Sequence, residues 1–352
     1  MCDGRPSQSS LPISLFDYDL PEELIAQHPL DDRSASRMLV LERQTERITH
    51  TSFQRIPDWL KAGDLLVLND TRVFPARVIA QRSSGGRIEI LLLQRLSGDE
   101  WQAMARPARR LRKGETLYVL DKNERLIDIA VTFLSRLDDG TVTLEVPHSA
   151  ELLDRAGRIP LPGYITSALD DPERYQTVYA REAGSVAAPT AGLHFTEELL
   201  ERLRSNGVRT AWVTLHVGPG TFQPVREDDA LRHRMHEERY SVSEEAKREI
   251  QAARAEKRRI IAVGTTSCRT LESVADRLDD PGPLTGETAL YITPGYSFDV
   301  VDALLTNFHL PKSTLLLLVS ALAGRELVLR SYAEAIRERY RFYSFGDAML
   351  IL

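Results

Sequence analysis

Cysteine is almost missing from this 352-residue chain, with Cys2 and Cys268 its only two. A pair so far apart supports neither a disulfide framework nor a cysteine-rich metal site, and a reducing cytoplasm is the expected home. Long apolar runs are missing too. The greasiest stretch, "LLTNFHLPKSTLLLLVSALAG" at 304–324, is apolar only over the nine residues 315–323, which already include Ser320. A membrane-spanning helix needs about 20 apolar residues, so this segment reads as a core element and no membrane association is expected. The opening "MCDGRPSQSSLPISL" has no continuous apolar core and reads as a polar tail. Positive charge is not in excess either: 45 basic residues against 51 acidic ones leave a net charge of −6. Indiscriminate nucleic-acid binding needs a broad positive field, so only a local basic patch stays open.

What remains is ordinary for a soluble enzyme, with 42% hydrophobic and 27% charged residues, and the length points to two domains. Between residues 64 and 146 the pattern has period two. Ile127, Ile129, Val131 and Phe133 alternate with polar or small neighbours, as do Val142, Leu144 and Val146. Gly85-Gly86, Ser97-Gly98, Lys113-Gly114 and Asp139-Gly140 punctuate the runs as turns. Short strands at this spacing predict a small antiparallel barrel or sandwich. Helices and strands mix elsewhere. "TEELLERLRSNG" predicts a helix capped by Thr196 and stopped at Gly207, and "SVSEEAKREIQAARAEKR" one opening at Ser241 or Ser243, with Glu244 available for a capping box. "ELVLRSYAEAIRERY" predicts a surface helix burying Leu329, Ala333, Ile336 and Tyr340. The expected architecture is an α/β main domain, residues 1–73 and 152–352, interrupted by an inserted antiparallel β-barrel, residues 74–151.

Five polar clusters interrupt this pattern, each with a plain alternative. "VLNDTRVFPAR" places Asn69, Asp70, Thr71 and Arg72 at a strand end, where α/β proteins hold ligands, or where Asx hydrogen bonds close a turn. "GSVAAPTAGLHFT" offers Gly192 and His194 before a helix, and a lone histidine there is more often structural than titrating. "LHVGPGTFQPV" supplies His216, Gly218, Gly220 and Thr221 without matching a phosphate-loop pattern. "HRMHEERY" follows, with His236 and Glu238, and lacks the spacing of a zinc protease. "VGTTSCRT" brings Thr265, Thr266 and Arg269 to a helix start, which can hold an anion or simply be capped by Thr266 or Ser267. In the greasy stretch, Asn307, His309 and Lys312 precede a helix that Pro311, Ser313 or Thr314 would begin. Separately, "RPARRLRK" packs Arg106, Arg109, Arg110, Arg112 and Lys113 into eight residues, as a phosphate contact or a solvated strand edge.

Taken together and in this order, the clusters resemble one family. "FDYDLPEELIAQHPL", "DLLVLNDTRVFPAR", "RYQTVYA", "AGSVAAPTAGLHFT", "LHVGPGTFQPV", "HRMHEERY", "IIAVGTTSCRTLES", "PGYSFDVVDALLTNFHLPKSTLL" and "YRFYSFGDAML" are similar to the S-adenosylmethionine:tRNA ribosyltransferase-isomerases of the queuosine pathway. The resemblance covers nearly everything beyond the first dozen residues. It departs at Gly163 of "PLPGYI", where the family usually has a second proline, and in "TSALDD", which lacks an expected basic residue.

The resemblance implies an α/β domain with an inserted β-barrel. It also implies transfer and isomerisation of the ribosyl part of S-adenosylmethionine onto 7-aminomethyl-7-deazaguanine at the tRNA wobble position. The product is epoxyqueuosine, adenine and methionine leave, and no metal or separate redox cofactor takes part. On this reading His194, His216, His236 and Glu238 are the acid–base candidates. Asp70, Thr71, Arg72, Gly192, Gly218, Gly220, Thr221, Thr265, Thr266, Arg269, Asn307 and His309 are candidates for binding donor or modified base. Arg106, Arg109, Arg110, Arg112, Lys113 and Lys312 are candidates for tRNA contact, with Phe195, Phe222, Tyr296 or Phe308 as stacking platforms. A cytoplasmic monomer is expected. Two rivals are a tRNA methyltransferase using the same donor and a catalytically silent RNA-binding protein.

Overall fold

The computed structural model describes residues 10–220 and 224–352. The chain divides into two compact units, one of Met1–Thr71, Gly163–Glu182 and Pro189–Leu352, the other of Arg72–Pro162 and Ala183–Ala188. No helix among the described residues is long and apolar enough to cross a membrane.

The smaller unit is built on a closed antiparallel barrel. Its strands are β5 (Arg77–Arg82), β6 (Arg87–Ser97), β7 (Glu100–Arg106), β8 (Glu115–Leu120), β9 (Leu126–Arg136) and β10 (Val142–Glu145), closing in the order β10-β7-β6-β5-β8-β9. The period-two pattern fills the interior: Ile88, Ile90, Leu117, Val119, Ile129, Val131, Phe133, Val142 and Leu144 share one buried cluster. Closure removes the strand edges that a free sheet of this size would expose. Gly85 and Gly140 turn at φ +86° and +83°, conformations that residues with a Cβ rarely adopt. Helix α1 (Ser149–Ala156) adds Leu152 and Ala156 to the same core.

The larger unit carries a nine-stranded mixed sheet. In chain order its strands are β1 (Arg37–Glu42), β2 (Arg47–Ser52), β3 (Leu65–Asn69), β12 (Arg209–Leu215), β13 (Glu238–Val242), β14 (Ile260–Val263), β15 (Leu284–Thr288), β16 (Ala303–Asn307) and β17 (Ala348–Ile351). The intervening β4 (Thr71–Val73) and β11 (Glu182–Ser185) form a separate two-stranded sheet. The large sheet runs β15-β13-β12-β3-β14-β16-β17-β1-β2. Its central strands β3, β14 and β16 are buried at every residue, as continuous apolar runs in a covered parallel sheet should be. One face buries Leu66, Leu68, Ile261, Val263 and Leu305 against Phe195 and against Leu199, Leu200 and Leu203 of α2 (Glu197–Ser205). Helices α3 (Glu244–Ala255) and α4 (Gly264–Ser273) pack on β12, β3 and β14. Helix α5 (Thr314–Ala323) is the greasy run and pairs with α6 (Arg325–Arg337).

Local signals decide the helix starts. Thr196 caps α2 by accepting from Leu199 N at 3.2 Å. Ser243 caps α3 through Ala246 N at 3.1 Å, while Ser241 lies in β13, so the capping box expected with Glu244 does not form. Helix α6 turns Leu327, Val328, Ser331, Tyr332 and Ala335 inward; of the expected stripe Tyr340, just past the helix end, is buried, but Leu329 and Ile336 are half-buried and Ala333 is exposed. Ser331 tolerates burial because its hydroxyl donates to Leu327 O at 2.8 Å, which leaves the bulkier Val328 and Tyr332 free to set the face.

Candidate active site

Strands β12, β3, β14 and β16 are adjacent and mutually parallel. Their carboxyl ends release the chain at Asn69–Thr71, His216–Gly220, Gly264–Thr266 and Asn307–His309. Ligands of open α/β sheets sit at such ends, above all where successive crossovers depart in opposite directions. That happens at β3, with β12 on one flank and β14 on the other. Segments distant in sequence therefore share one end of one sheet.

At this point of divergence the Asn69 side chain continues the sheet. Its Oδ1 accepts from Leu215 N (3.0 Å) and Thr71 N (3.2 Å), and its Nδ2 donates to Leu215 O (3.0 Å). Asp70 is buried and accepts from Thr214 Oγ1 and from Arg181, both at 2.7 Å. Thr71 Oγ1 lies 2.8 Å from His216 Nδ1 and 3.3 Å from Glu182 O. A hydroxyl has one proton. In the tautomer that lets Thr71 give it to the carbonyl, His216 Nδ1 donates to Thr71, and Nε2 makes no bond among the described residues. Burial, and after it the nearby Arg239, pushes the His216 pKa below the ordinary histidine value. A neutral imidazole with its free nitrogen defined is the form a general base needs.

The next loop is anchored by a buried ion pair. Glu238 opens β13, accepts from Gly218 N at 2.8 Å through Oε1, and pairs with the Arg269 guanidinium through Oε2. Arg269 also donates to Leu290 O at 3.1 Å. The Glu238 carboxylate is thus spent on holding loop and helix together. Gly220 passes close to His236: a Cβ there would sit 2.3 Å from Cδ2 of that exposed ring, which would have to turn aside. Thr221 and Phe222 lie outside the described residues.

His194, closing a short 3-10 turn (Thr190–His194), is buried with both ring nitrogens engaged. Nδ1 is 2.8 Å from Ser36 Oγ and Nε2 is 3.2 Å from Asn307 Nδ2, while Asn307 Oδ1 accepts from Thr190 Oγ1 at 3.2 Å. Burial, then Arg341 and Arg33, pushes its pKa down to about 3, so it stands as a neutral, fully bonded ring. Gly192 is small for a protein partner: a Cβ would lie 2.1 Å from Tyr179 Oη. His309, also driven to about 3 by burial, bonds Thr306 Oγ1 at 2.8 Å and takes Tyr332 Oη on its backbone N–H at 3.0 Å. Tyr332 in turn packs in an aromatic core with Phe308 and Phe342.

At the start of α4 no side chain caps the helix. The Ser267 hydroxyl donates back to Val263 O at 2.8 Å. Thr265 and Thr266 are buried, and Thr266 Oγ1 has no partner among the described residues. The capping expected from Thr266 or Ser267 is therefore absent, and the helix start keeps its donors. Ser313 does cap α5, through Leu316 N at 3.2 Å.

In the smaller unit, Arg106 ends β7, and Arg109, Arg110, Arg112 and Lys113 follow it on the connection to β8. All five are exposed, Leu111 anchors their segment in the barrel core, and none makes an ion pair among the described residues. Arg72 is half-buried in β4. Lys312 sits in the larger unit and pairs with Asp17 at 2.6 Å. Of the stacking candidates, Phe195 and Phe308 are fully buried and Tyr296 is half-buried. Sequence reasoning missed Ser36, Thr190, Thr214 and Arg181, the partners that fix His194, Asn307 and Asp70. Single hydroxyls and a surface arginine carry no spacing signal, and only the fold delivers them.

The chain matches the family described as Queuosine biosynthesis protein over residues 13–351. It is 52% identical over 344 residues to the S-adenosylmethionine:tRNA ribosyltransferase-isomerase of Symbiobacterium thermophilum, covering 97% of this chain and 99% of that protein. The protein of the same name from Thermotoga maritima is 51% identical over 341 residues, covering 97% and 99%. The crystal structure of an S-adenosylmethionine tRNA ribosyltransferase from Thermotoga maritima aligns with a TM-score of 0.56 at 42% identity, covering 96% of this chain and 100% of that one.

Proposed function

The chain belongs to the queuosine biosynthesis family of S-adenosylmethionine:tRNA ribosyltransferase-isomerases, and from that membership we propose the reaction it carries out. The ribosyl part of S-adenosylmethionine is transferred to 7-aminomethyl-7-deazaguanine at the wobble position of a tRNA and isomerised to an epoxycyclopentane. Adenine and methionine leave, and epoxyqueuosine-tRNA remains. S-adenosylmethionine is consumed as a substrate and no separate cofactor enters.

The reaction asks for three things, and the sheet end offers each. The sulfonium acidifies the adjacent 5′ C–H, so a neutral base must stand ready; His216, with Nε2 open and Nδ1 tied to Thr71, fits that role. The departing adenine takes up a proton and the attacking amine gives one up, so a second exchanging group is needed, and the exposed His236 beside Gly220 is placed for it. Donor and modified base need fixed polar contacts. The uncapped start of α4, with Thr265 and the unpartnered Thr266 hydroxyl, supplies donors, and Asp70, Asn307 and the Gly218–Gly220 backbone line the same sheet end. Glu238 and Arg269 hold the loop that carries these groups. The exposed arginines of 106–113 suit the phosphates of the tRNA. Every group named comes from one chain, so a monomer suffices, and two cysteines fit a reducing cytoplasm.

The observation that carries this reading is the Thr71–His216 pair at the point of divergence. Single-turnover adenine release from S-adenosylmethionine, in the presence of tRNA bearing the aminomethyl base, tests it. The His216→Ala variant is expected to lose at least about 100-fold in rate, and a wild-type rate would refute the assignment. Release of S-adenosylhomocysteine instead of adenine and methionine would refute the reaction itself.

A further inference from the structure

Beside His194 the larger unit holds a small cavity of about 30 Å³ lined by Arg33, Arg174, Leu30, Leu193, His194 and Phe345, among others. Resting on the reaction proposed above, we propose that Arg33 and Arg174, backed by Arg341, form an oxyanion pocket over His194 that holds the methionyl carboxylate of S-adenosylmethionine.

Charge is the first argument. None of the three guanidiniums makes an ion pair among the described residues; each spends hydrogen bonds on backbone carbonyls instead. Arg33 donates to Glu173 O (2.9 Å) and Leu193 O (3.4 Å), Arg174 to Leu30 O, and Arg341 to His28 O. Two buried guanidinium nitrogens, Arg174 Nε and Arg341 Nη1, have no partner among the described residues. Buried charged donors left unmade are costly, and a native site retains them where a ligand completes them. The acids nearby do not fill the role. Asp171 and Glu173 are exposed and act on Arg33 only at a distance, and buried Asp347 is occupied by Arg37 N and Arg341 N, both at 2.8 Å.

Size and surroundings are the second argument. At roughly 10–15 Å³ for each water-sized sphere, the cavity takes two oxygens, the face a carboxylate presents to a planar guanidinium fork. His194 is neutral and bonded on both nitrogens, so it neither titrates against the anion nor competes for it. Leu30, Leu193 and Phe345 offer apolar walls to the methylenes that join this carboxylate end to the sulfonium. His194 is also bonded to Asn307, at the carboxyl end of β16, and β16 lies three strand spacings from β12, which releases His216. At about 4.8 Å per step that is a span of roughly 14 Å, across which an extended nucleoside with its amino-acid arm can lie.

The experiment compares equilibrium binding of S-adenosylmethionine and of its decarboxylated analogue to the wild-type protein and to Arg174→Gln and Arg33→Gln, with urea midpoints recorded for each. Wild type should bind the analogue about 10- to 100-fold more weakly than S-adenosylmethionine, and the variants should bind both equally weakly. Equal binding of the two ligands by wild type overturns the proposal without any variant. Variants that keep the wild-type preference for the carboxylate overturn it too. So does a loss confined to an anticodon stem-loop RNA, which would make the pocket a phosphate contact. Binding is read without turnover, so a wild type that binds as expected yet releases no adenine counts against the proposed reaction and not against the pocket.

Discussion

Replacing Glu238 by leucine tests whether the carboxylate holds structure together or moves protons. The Arg269 and Glu238 side chains are only 4% and 3% exposed. Without the carboxylate, Arg269 keeps Leu290 O at 3.1 Å and Thr288 O at 3.5 Å, two neutral acceptors for a buried charge. Gly218 N loses its acceptor at 2.8 Å. Stranding one partner of a buried pair costs about 3–5 kcal/mol. Gly218 is half-buried, so water can satisfy most of its N–H and little is added. For a domain of this size the unfolding temperature should drop by on the order of 10 °C. Urea unfolding at pH 7, followed by tryptophan fluorescence, reads the loss directly. The double variant Glu238→Leu/Arg269→Met removes both charges and should return to within about 1 kcal/mol of wild type. It should also regain adenine release if Glu238 acts only by holding the 218–220 loop. A Glu238→Leu protein as stable as wild type, or a double variant no better than the single one, would show that the pair does not work as described.

Three further outcomes follow from the same geometry. The acid limb of kcat/KM should fall below the ordinary histidine value of about 6.5, because burial lowers the His216 pKa and its neutral form is the active one; a limb at or above that value would contradict the assignment. His194 and His309 are held near pKa 3 in the folded state, so the unfolded chain binds more protons below about 6.5, and stability is full above that pH and lost as pH falls towards 3. The stability difference between pH 7 and pH 5 should therefore shrink by roughly 2 kcal/mol in His309→Gln, and an unchanged difference counts against a buried neutral ring. Reversing charge at Arg109, Arg110 and Arg112 should weaken tRNA binding and flatten its salt slope by about 0.7–0.9 for each phosphate no longer neutralised, with S-adenosylmethionine binding unmoved; an unchanged slope would make the segment a solvated edge.

Much of the architecture was legible in the amino acids because each element carries its own periodicity. Alternation along β9 and β10 (Ile129, Val131, Phe133, Val142, Leu144) predicts a half-buried strand whatever it pairs with, and six such strands have few ways to bury their inner faces. The caps at Thr196 and Ser243 are equally local, one hydroxyl serving an amide three residues on. The inward stripe of α6 was not legible. Leucine, alanine and isoleucine at 329, 333 and 336 make as good a pattern as the stripe that is buried, and only the neighbouring α5 and the aromatic core around Tyr332 choose between them.

The site divides along the same line. Sequence alone marked the histidines, the glycine-bearing loops and the carboxylate of Glu238, since they cluster where the strand and helix patterns break and their order matches one family. It left their states open. The tertiary structure decided that among the described residues His216 is bonded through Nδ1 alone while both nitrogens of His194 are engaged, that Glu238 is bound to Arg269, and that Gly192 makes room for Tyr179. The reason is physical: a side chain's chemistry belongs to its residue type, but its protonation, tautomer and freedom are set by whatever the fold packs against it. Thr71 and His216, or Ser36 and His194, meet only after the chain between them has closed.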